Sequence, residues 1–185
     1  YINNGTQGSI VGSINIAESA ADQYDTYTYT LSGNDAQYFE VNSSGELKLK
    51  DNVTADFDTQ SDYKLTINVT DAAGLTSSQF INIAINLAPT DLTLSGYEID
   101  ESHYGSQIGN LTVSDPNTSD TFTYLLSGID KDLFEITSEG VLKLKDDVYA
   151  DYEVKDTLSI TITVSDQAGL SIEIDFSIAV NDLSY

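Results

Sequence analysis

The sequence predicts an all-β chain built as two tandem immunoglobulin-like Greek-key sandwiches, about seven strands each. Three observations carry that prediction: a module of about 95 residues occurs twice, apolar residues alternate with Ser and Thr over short runs, and no segment shows a helical period. The repeat is direct. Leu31-Ser32-Gly33 recurs as Leu126-Ser127-Gly128, and Leu47-Lys48-Leu49-Lys50-Asp51 returns unchanged as Leu142-Lys143-Leu144-Lys145-Asp146. Between Leu31 and Asp58 the two copies share 16 identities in 28 ungapped positions, which chance does not produce.

Taken in chain order, Tyr27, Tyr29 and Leu31 alternate with Thr, as do their counterparts Phe122, Tyr124 and Leu126, and read as a half-buried strand. Phe39 and Phe134 also fall at core phase. Asn42-Ser43-Ser44-Gly45 and Ser138-Glu139-Gly140 are hairpin turns. Leu65, Ile67 and Val69 form the next stripe, matched by Leu158, Ile160, Ile162 and Val164. A further stripe, Ile81, Ile83 and Ile85, is matched by Phe176, Ile178 and Val180. The alternation stops at Asn86-Leu87-Ala88-Pro89-Thr90, where the first proline stands, so the expected division is a first repeat over 1–87 and a second over 88–185. The short linker predicts an end-to-end pair with limited freedom. An opening at Tyr1 rather than Met is what a piece of a longer protein would show.

Composition excludes several functions. The chain has 30 acidic and 7 basic side chains, a net charge of −23, which repels phosphate backbones and anionic lipid and argues against nucleic-acid and membrane-surface partners. Cysteine is absent, so disulfides, thiol nucleophiles and Cys-ligated metals are excluded. No apolar run is long enough for a membrane-spanning helix. With 40% hydrophobic and 10% aromatic residues the chain still has the material for a core.

The acids fall at strand ends more than along outer faces. Asp56 and Asp58 are two apart, so in extended chain their carboxylates point the same way, as do those of Asp151 and Glu153. Asp115 and Asn117 bracket Pro116 in a strand-ending loop, while Asp71 and Asp166 each follow a strand and precede a Gly-containing turn. Loop clusters made of oxygen donors alone, without His or Cys, suit a hard cation, calcium before magnesium.

On these residues both copies resemble the cadherin repeat in the form found in bacterial surface adhesins and RTX-type proteins. The matching residues are Glu101 in Ile99-Asp100-Glu101-Ser102, Asp151-Tyr152-Glu153, Asp115-Pro116-Asn117, Asp166, and Asn86 with Ala88-Pro89 in the linker. The resemblance implies calcium bound between modules. Asp56, Asp58, Asn86, Asp115, Asn117 and Asp166 would form the inter-repeat site, holding one or two ions. Glu101, Asp151, Glu153 and Asp182 would form a half site at the C-terminal end, and Glu18, Asp22 and Asp71 one at the N-terminal end. The first copy departs from the pattern, with Asn4 at the glutamate position, Asp56-Phe57-Asp58 for Asp-x-Glu and Ala84 at the linker aspartate. The implied partners are neighbouring modules of the same chain, and the implied setting is extracellular, on a bacterial cell surface, in an adhesin where the module acts as a calcium-stiffened spacer.

The alternative from a different class is a carbohydrate-binding module, with Tyr24, Tyr38, Tyr63, Tyr104 and Tyr149, off-phase or in loops, lining a platform for a surface glycan. Self-association through an exposed edge strand is a third possibility, for which Ile160–Val164 and Glu173–Val180 are long enough. Enzymatic function is not expected. His103 sits in a loop next to Glu101 and Tyr104, where a general base would need a nucleophile or an oriented partner. No nucleophile motif occurs, and adjacent same-side acids such as Asp56 and Asp58 lack the separation of about 5–10 Å that glycoside hydrolysis requires.

Overall fold

The computed structural model describes residues 1–17 and 25–183. It is all-β apart from two short 3-10 turns, Ala36–Tyr38 and Lys131–Leu133. The chain divides into two compact units, Tyr1–Leu87 and Ala88–Tyr185. Among the described residues no helix is long and apolar enough to cross a membrane.

Unit 1 contains β1 (Ile2–Asn3), β2 (Ile10–Ser13), β3 (Thr28–Ser32), β4 (Phe39–Val41), β5 (Glu46–Leu49), β6 (Asp62–Thr70) and β7 (Thr76–Asn86). They form one sheet in the order β1-β7-β6-β3 and a second in the order β2-β5-β4. Period-2 alternation sends Leu47 and Leu49 of one sheet, and Leu65, Ile67, Ile83 and Ile85 of the other, into a shared interior. Tyr63 is part of that interior, 4% exposed, with its ring edge-on to Phe39 at 5.2 Å. This corrects its assignment to a loop platform. Tyr63 shares the odd-numbered phase of Leu65 and Ile67, so β6 turns it inward. Tyr38 is half-buried against it at 5.7 Å.

Unit 2 contains β8 (Asp91–Leu94), β9 (Glu98–Asp100), β10 (Gln107–Ser114), β11 (Thr123–Ser127), β12 (Phe134–Ile136), β13 (Val141–Leu144), β14 (Thr157–Ser165) and β15 (Ser171–Asn181). Its sheets run β12-β13-β10-β8 and β11-β14-β15-β9. The eighth strand, β8, pairs with the end of β10 and adds Leu92 and Leu94 to the core. Short β9 runs parallel to the end of β15, Ile99 opposite Val180, as β1 runs parallel to the end of β7 in unit 1. Phe134, Leu142, Leu144, Ile160, Ile162 and Val164 fill the space between the sheets.

The repeated Leu-Ser-Gly has a backbone reason. Gly128 has φ +95°, and a Cβ there would lie 3.1 Å from Ile160 Cα and Thr161 N on the neighbouring strand; Gly33 repeats the arrangement against Leu65. Gly128→Ala combines left-handed strain with a backbone clash, so it is expected to cost about 1–3 kcal/mol, read as a lower urea midpoint.

Candidate metal centre

Local turn chemistry assembles three carboxylates at the end of unit 2 where its chain enters. β10 stops at Ser114 because Pro116 cannot extend a hydrogen-bonded ladder. Asp115 Oδ1 then accepts the Asn117 amide at 2.7 Å, and the Asp120 amide donates to the Asn117 carbonyl at 3.1 Å, folding the loop back before β11. Asp166 ends β14, its Oδ1 accepting the Leu170 amide at 2.9 Å across the Gly169 turn. Carboxylate oxygens of Asp115, Asp120 and Asp166 all lie within 4.8 Å of one another, with Asp166 only 5% exposed.

Three oxygens there, Asp115 Oδ2 and both of Asp120, are buried without a hydrogen-bond partner. Burial pushes the Asp115 carboxyl above its ordinary range against the pull of the Asn117 amide, and the charges of Asp120 and Asp166 push the same way. Unpaired, converging, oxygen-only donors fit a hard cation such as calcium, with further oxygens from backbone or water completing its shell.

The opposite end of unit 2 carries a second group. Oxygens of Glu101, Glu153 and Asp182 lie within 4.8 Å of one another. Glu101 ends β9 and is 6% exposed, its Oε2 accepting the Tyr152 amide at 3.1 Å and its Oε1 the Leu183 amide at 2.8 Å. Glu153 and Asp182 are exposed. Asp151, expected with them, falls outside the group, its Oδ1 instead closing a turn onto the Val154 amide at 3.2 Å. The 11 residues of β15, at about 3.4 Å each, separate the two groups.

Unit 1 repeats the scaffold with fewer charges. Asn4 Oδ1 accepts the Phe57 amide at 2.9 Å, the bond that Glu101 makes to Tyr152. Asp56 takes the Thr59 hydroxyl at 2.7 Å and the Asp58 amide at 3.1 Å, and the Thr59 bond above all holds its carboxyl below the usual range. Asp58 is exposed, and Asn86 is fully buried, its Nδ2 donating to Asn3 Oδ1 at 3.3 Å. Asp71 accepts the Leu75 amide at 2.8 Å, as Asp166 does with Leu170. Among the described residues unit 1 holds no comparable carboxylate triad. Glu18, Asp22 and Tyr24 lie outside the described residues.

The structure therefore brings Asp115 and Asp166 together, and Glu101, Glu153 and Asp182, while Asn117 contributes its backbone amide to the Asp115 turn. Asp120 was missed by the sequence reading, yet Asp25-Thr26 recurs 95 positions later as Asp120-Thr121, so the repeat held the signal. Of the loop tyrosines, Tyr104 and Tyr149 are exposed, their rings 5.0 Å apart at 66°. His103 is exposed, its Nδ1 2.8 Å from the Glu101 carbonyl oxygen.

Fold and site together define an all-β protein of two sandwich units, with oxygen-only acidic groups at both ends of the second. No family model and no curated protein sequence matches the chain. Among solved structures it is similar to human protocadherin-24 EC1-2, with 20% identity, 100% of this chain and 94% of that one covered, and a TM-score of 0.45. It is also similar to protocadherin gammaB7 EC3-6, described as a cis-dimer, at 21% identity, 98% and 45% coverage and a TM-score of 0.46. A third is the human desmocollin-1 ectodomain, at 16% identity, 100% and 40% coverage and a TM-score of 0.45. The chain spans less than half the length of the last two.

Proposed function

We propose that the chain is a non-catalytic, calcium-binding tandem module of an extracellular adhesive protein, of the kind the cadherin-like repeats of bacterial surface adhesins represent. It serves as a spacer that the ion stiffens. One observation carries this reading: Asp115, Asp120 and Asp166 bring an oxygen each within 4.8 Å of one another, and three buried oxygens of Asp115 and Asp120 have no hydrogen-bond partner. Such a group is costly when bare and favourable around a divalent cation. In this reading Asp115, Asp120 and Asp166 hold the ion at the end of unit 2 where its chain enters, and Asp56, Asp58, Asn86 and Asn117 are the further ligands that the resemblance implies. Glu101, Glu153 and Asp182, with Asp151 beside them, make a half site completed by a following module. Glu18, Asp22 and Asp71 make its N-terminal counterpart.

Extracellular modules bind calcium at about 10⁻⁴–10⁻³ M. At about 10–100 times the dissociation constant, binding adds about 1.4–2.7 kcal/mol to folded stability. The expected result is a melting midpoint that rises when EDTA is replaced by about 10 mM calcium, with no such rise in an equal ionic strength of sodium. Coincident midpoints in the three buffers overturn the proposal.

A further inference from the structure

We infer that the free edge of β11 is a homophilic contact, pairing antiparallel with β11 of a second copy of this chain. The argument is independent of calcium. In the order β11-β14-β15-β9, β11 hydrogen-bonds only β14 among the described residues, so its outer backbone groups have no strand beside them. Exposed edges in natural proteins are blunted with charge or proline. This one is not: residues 121–129 contain no group charged at neutral pH and no proline, although the chain as a whole is 20% charged. Two molecules of net charge −23 repel over most of their surfaces, and an uncharged strip is where they meet at least electrostatic cost.

The strip is also apolar where the fold does not require it. Leu125 is 66% exposed and Ile129 83%, and the corresponding residues of unit 1 are Thr30 and Asn34, both exposed. The sandwich thus forms with polar residues at these places. Symmetry adds a further reason. Leu125 is the central residue of five-residue β11, so a two-fold antiparallel pairing about it sets Leu125 directly opposite itself, an apolar cross-strand pair.

Of the two runs that strand length suggested, Ile160–Val164 belongs to β14, which is flanked on both sides by β11 and β15. Glu173–Val180 belongs to β15, which β9 pairs only at Ala179–Asn181, so most of that run does lie at an edge among the described residues, but one that presents the exposed acids Glu173 and Asp175. A single short edge makes a small interface, so the association is weak and reversible.

The test uses the whole chain. In sedimentation equilibrium the dimer fraction of the natural chain is expected to rise between 0.1 M and 1 M NaCl, as the screening length falls from about 10 Å to about 3 Å. Leu125→Lys is expected to abolish the dimer, and Leu125→Thr, which copies unit 1, to weaken it at least threefold. Because the chain has no cysteine, Leu125→Cys gives an independent reading. Opposed across the two-fold axis, the thiols lie within disulfide reach and link under mild oxidation at least tenfold faster than Phe80→Cys, exposed on β7. A chain that stays monomeric in 1 M salt, an unchanged dimer in Leu125→Lys, or equal linking rates at the two cysteine positions overturns the inference.

Discussion

In calcium-free buffer at neutral pH, Asp120→Asn is expected to melt above the natural chain, and in calcium to lose that advantage. The change follows from what the Asp120 carboxylate faces. Its two oxygens are buried and unpaired, and one of them lies within 4.8 Å of an oxygen of Asp115 and of one of Asp166. At that distance and an effective dielectric constant of about 20, each like-charge pair costs about 3 kcal/mol before solvent screening. Partial exposure of Asp115 and Asp120 reduces the net relief to about 1–2 kcal/mol. For a unit of this size that corresponds to a midpoint rise of about 4–16 °C. The carboxamide also brings N–H donors to a place where Asp115 Oδ2 has none. With calcium present the same change removes a ligand charge, and the stabilisation of about 1.4–2.7 kcal/mol from the ion at this group is lost.

The pH dependence has a definite sign. Asp115 has a higher carboxyl pKa folded than unfolded, so the folded state binds its proton more tightly. Its contribution is therefore destabilising above the folded value, and is relieved as pH falls through that value toward the ordinary 3.8. In EDTA the natural chain gains stability from this group over that interval, and Asp120→Asn shows a shallower gain because one repelling charge is gone. Thermal midpoints in EDTA and in calcium, at several pH values, check both statements. An Asp120→Asn midpoint at or below that of the natural chain in EDTA would show that the three carboxylates do not repel.

The strands were legible because burial on one face writes itself into the sequence at period 2, and because a second copy confirmed each stripe. Tyr63 was misread although the same rule covers it: it shares the phase of Leu65 and Ile67, and its counterpart in unit 2 is Leu158. Here a Tyr beside charged neighbours hid a core position that the repeat disclosed. The metal groups were legible only in part, since a coordination set is made by loop closure rather than by period. Asp115 and Asp166 stand where strands end, but Asp120 joins them through the turn closed by its amide on the Asn117 carbonyl. Asp151 goes the other way, spending its Oδ1 on the Val154 amide, which a same-side spacing of two residues cannot reveal. Edge order was legible only in part from strand length. Long β14 lies in the interior of its sheet and short β11 at its edge, while β15 is an edge only before Ala179, where β9 begins to pair with it.

Exchanging the residues at one structural position between the two units is expected to move calcium binding with them. Glu101 and Asn4 do the same backbone work, each accepting the amide that follows Asp151 or Asp56. They differ in charge and in the second bond, since Glu101 Oε1 also accepts the Leu183 amide at 2.8 Å. Glu101→Asn keeps at most one of these bonds and leaves a partly buried amide, of Tyr152 or Leu183, short of its acceptor. A charge-assisted bond lost in this way costs about 1.5–3 kcal/mol, so the variant is expected to unfold at lower urea even in EDTA. It also takes one of three carboxylates from the group with Glu153 and Asp182, which is expected to weaken calcium there at least tenfold. Asn4→Glu is the converse. It places a carboxylate beside the Asp56-Phe57-Asp58 turn, where repulsion lowers stability in EDTA and a shared cation restores it. Calorimetric calcium titrations of the two variants and of the natural chain decide the matter. Loss of a binding step in Glu101→Asn and a gain in Asn4→Glu would assign the difference between the units to this one position. Identical titration curves for all three would mean that neither end group binds calcium through it, and that Glu101 is buried only to hold the Tyr152 and Leu183 amides.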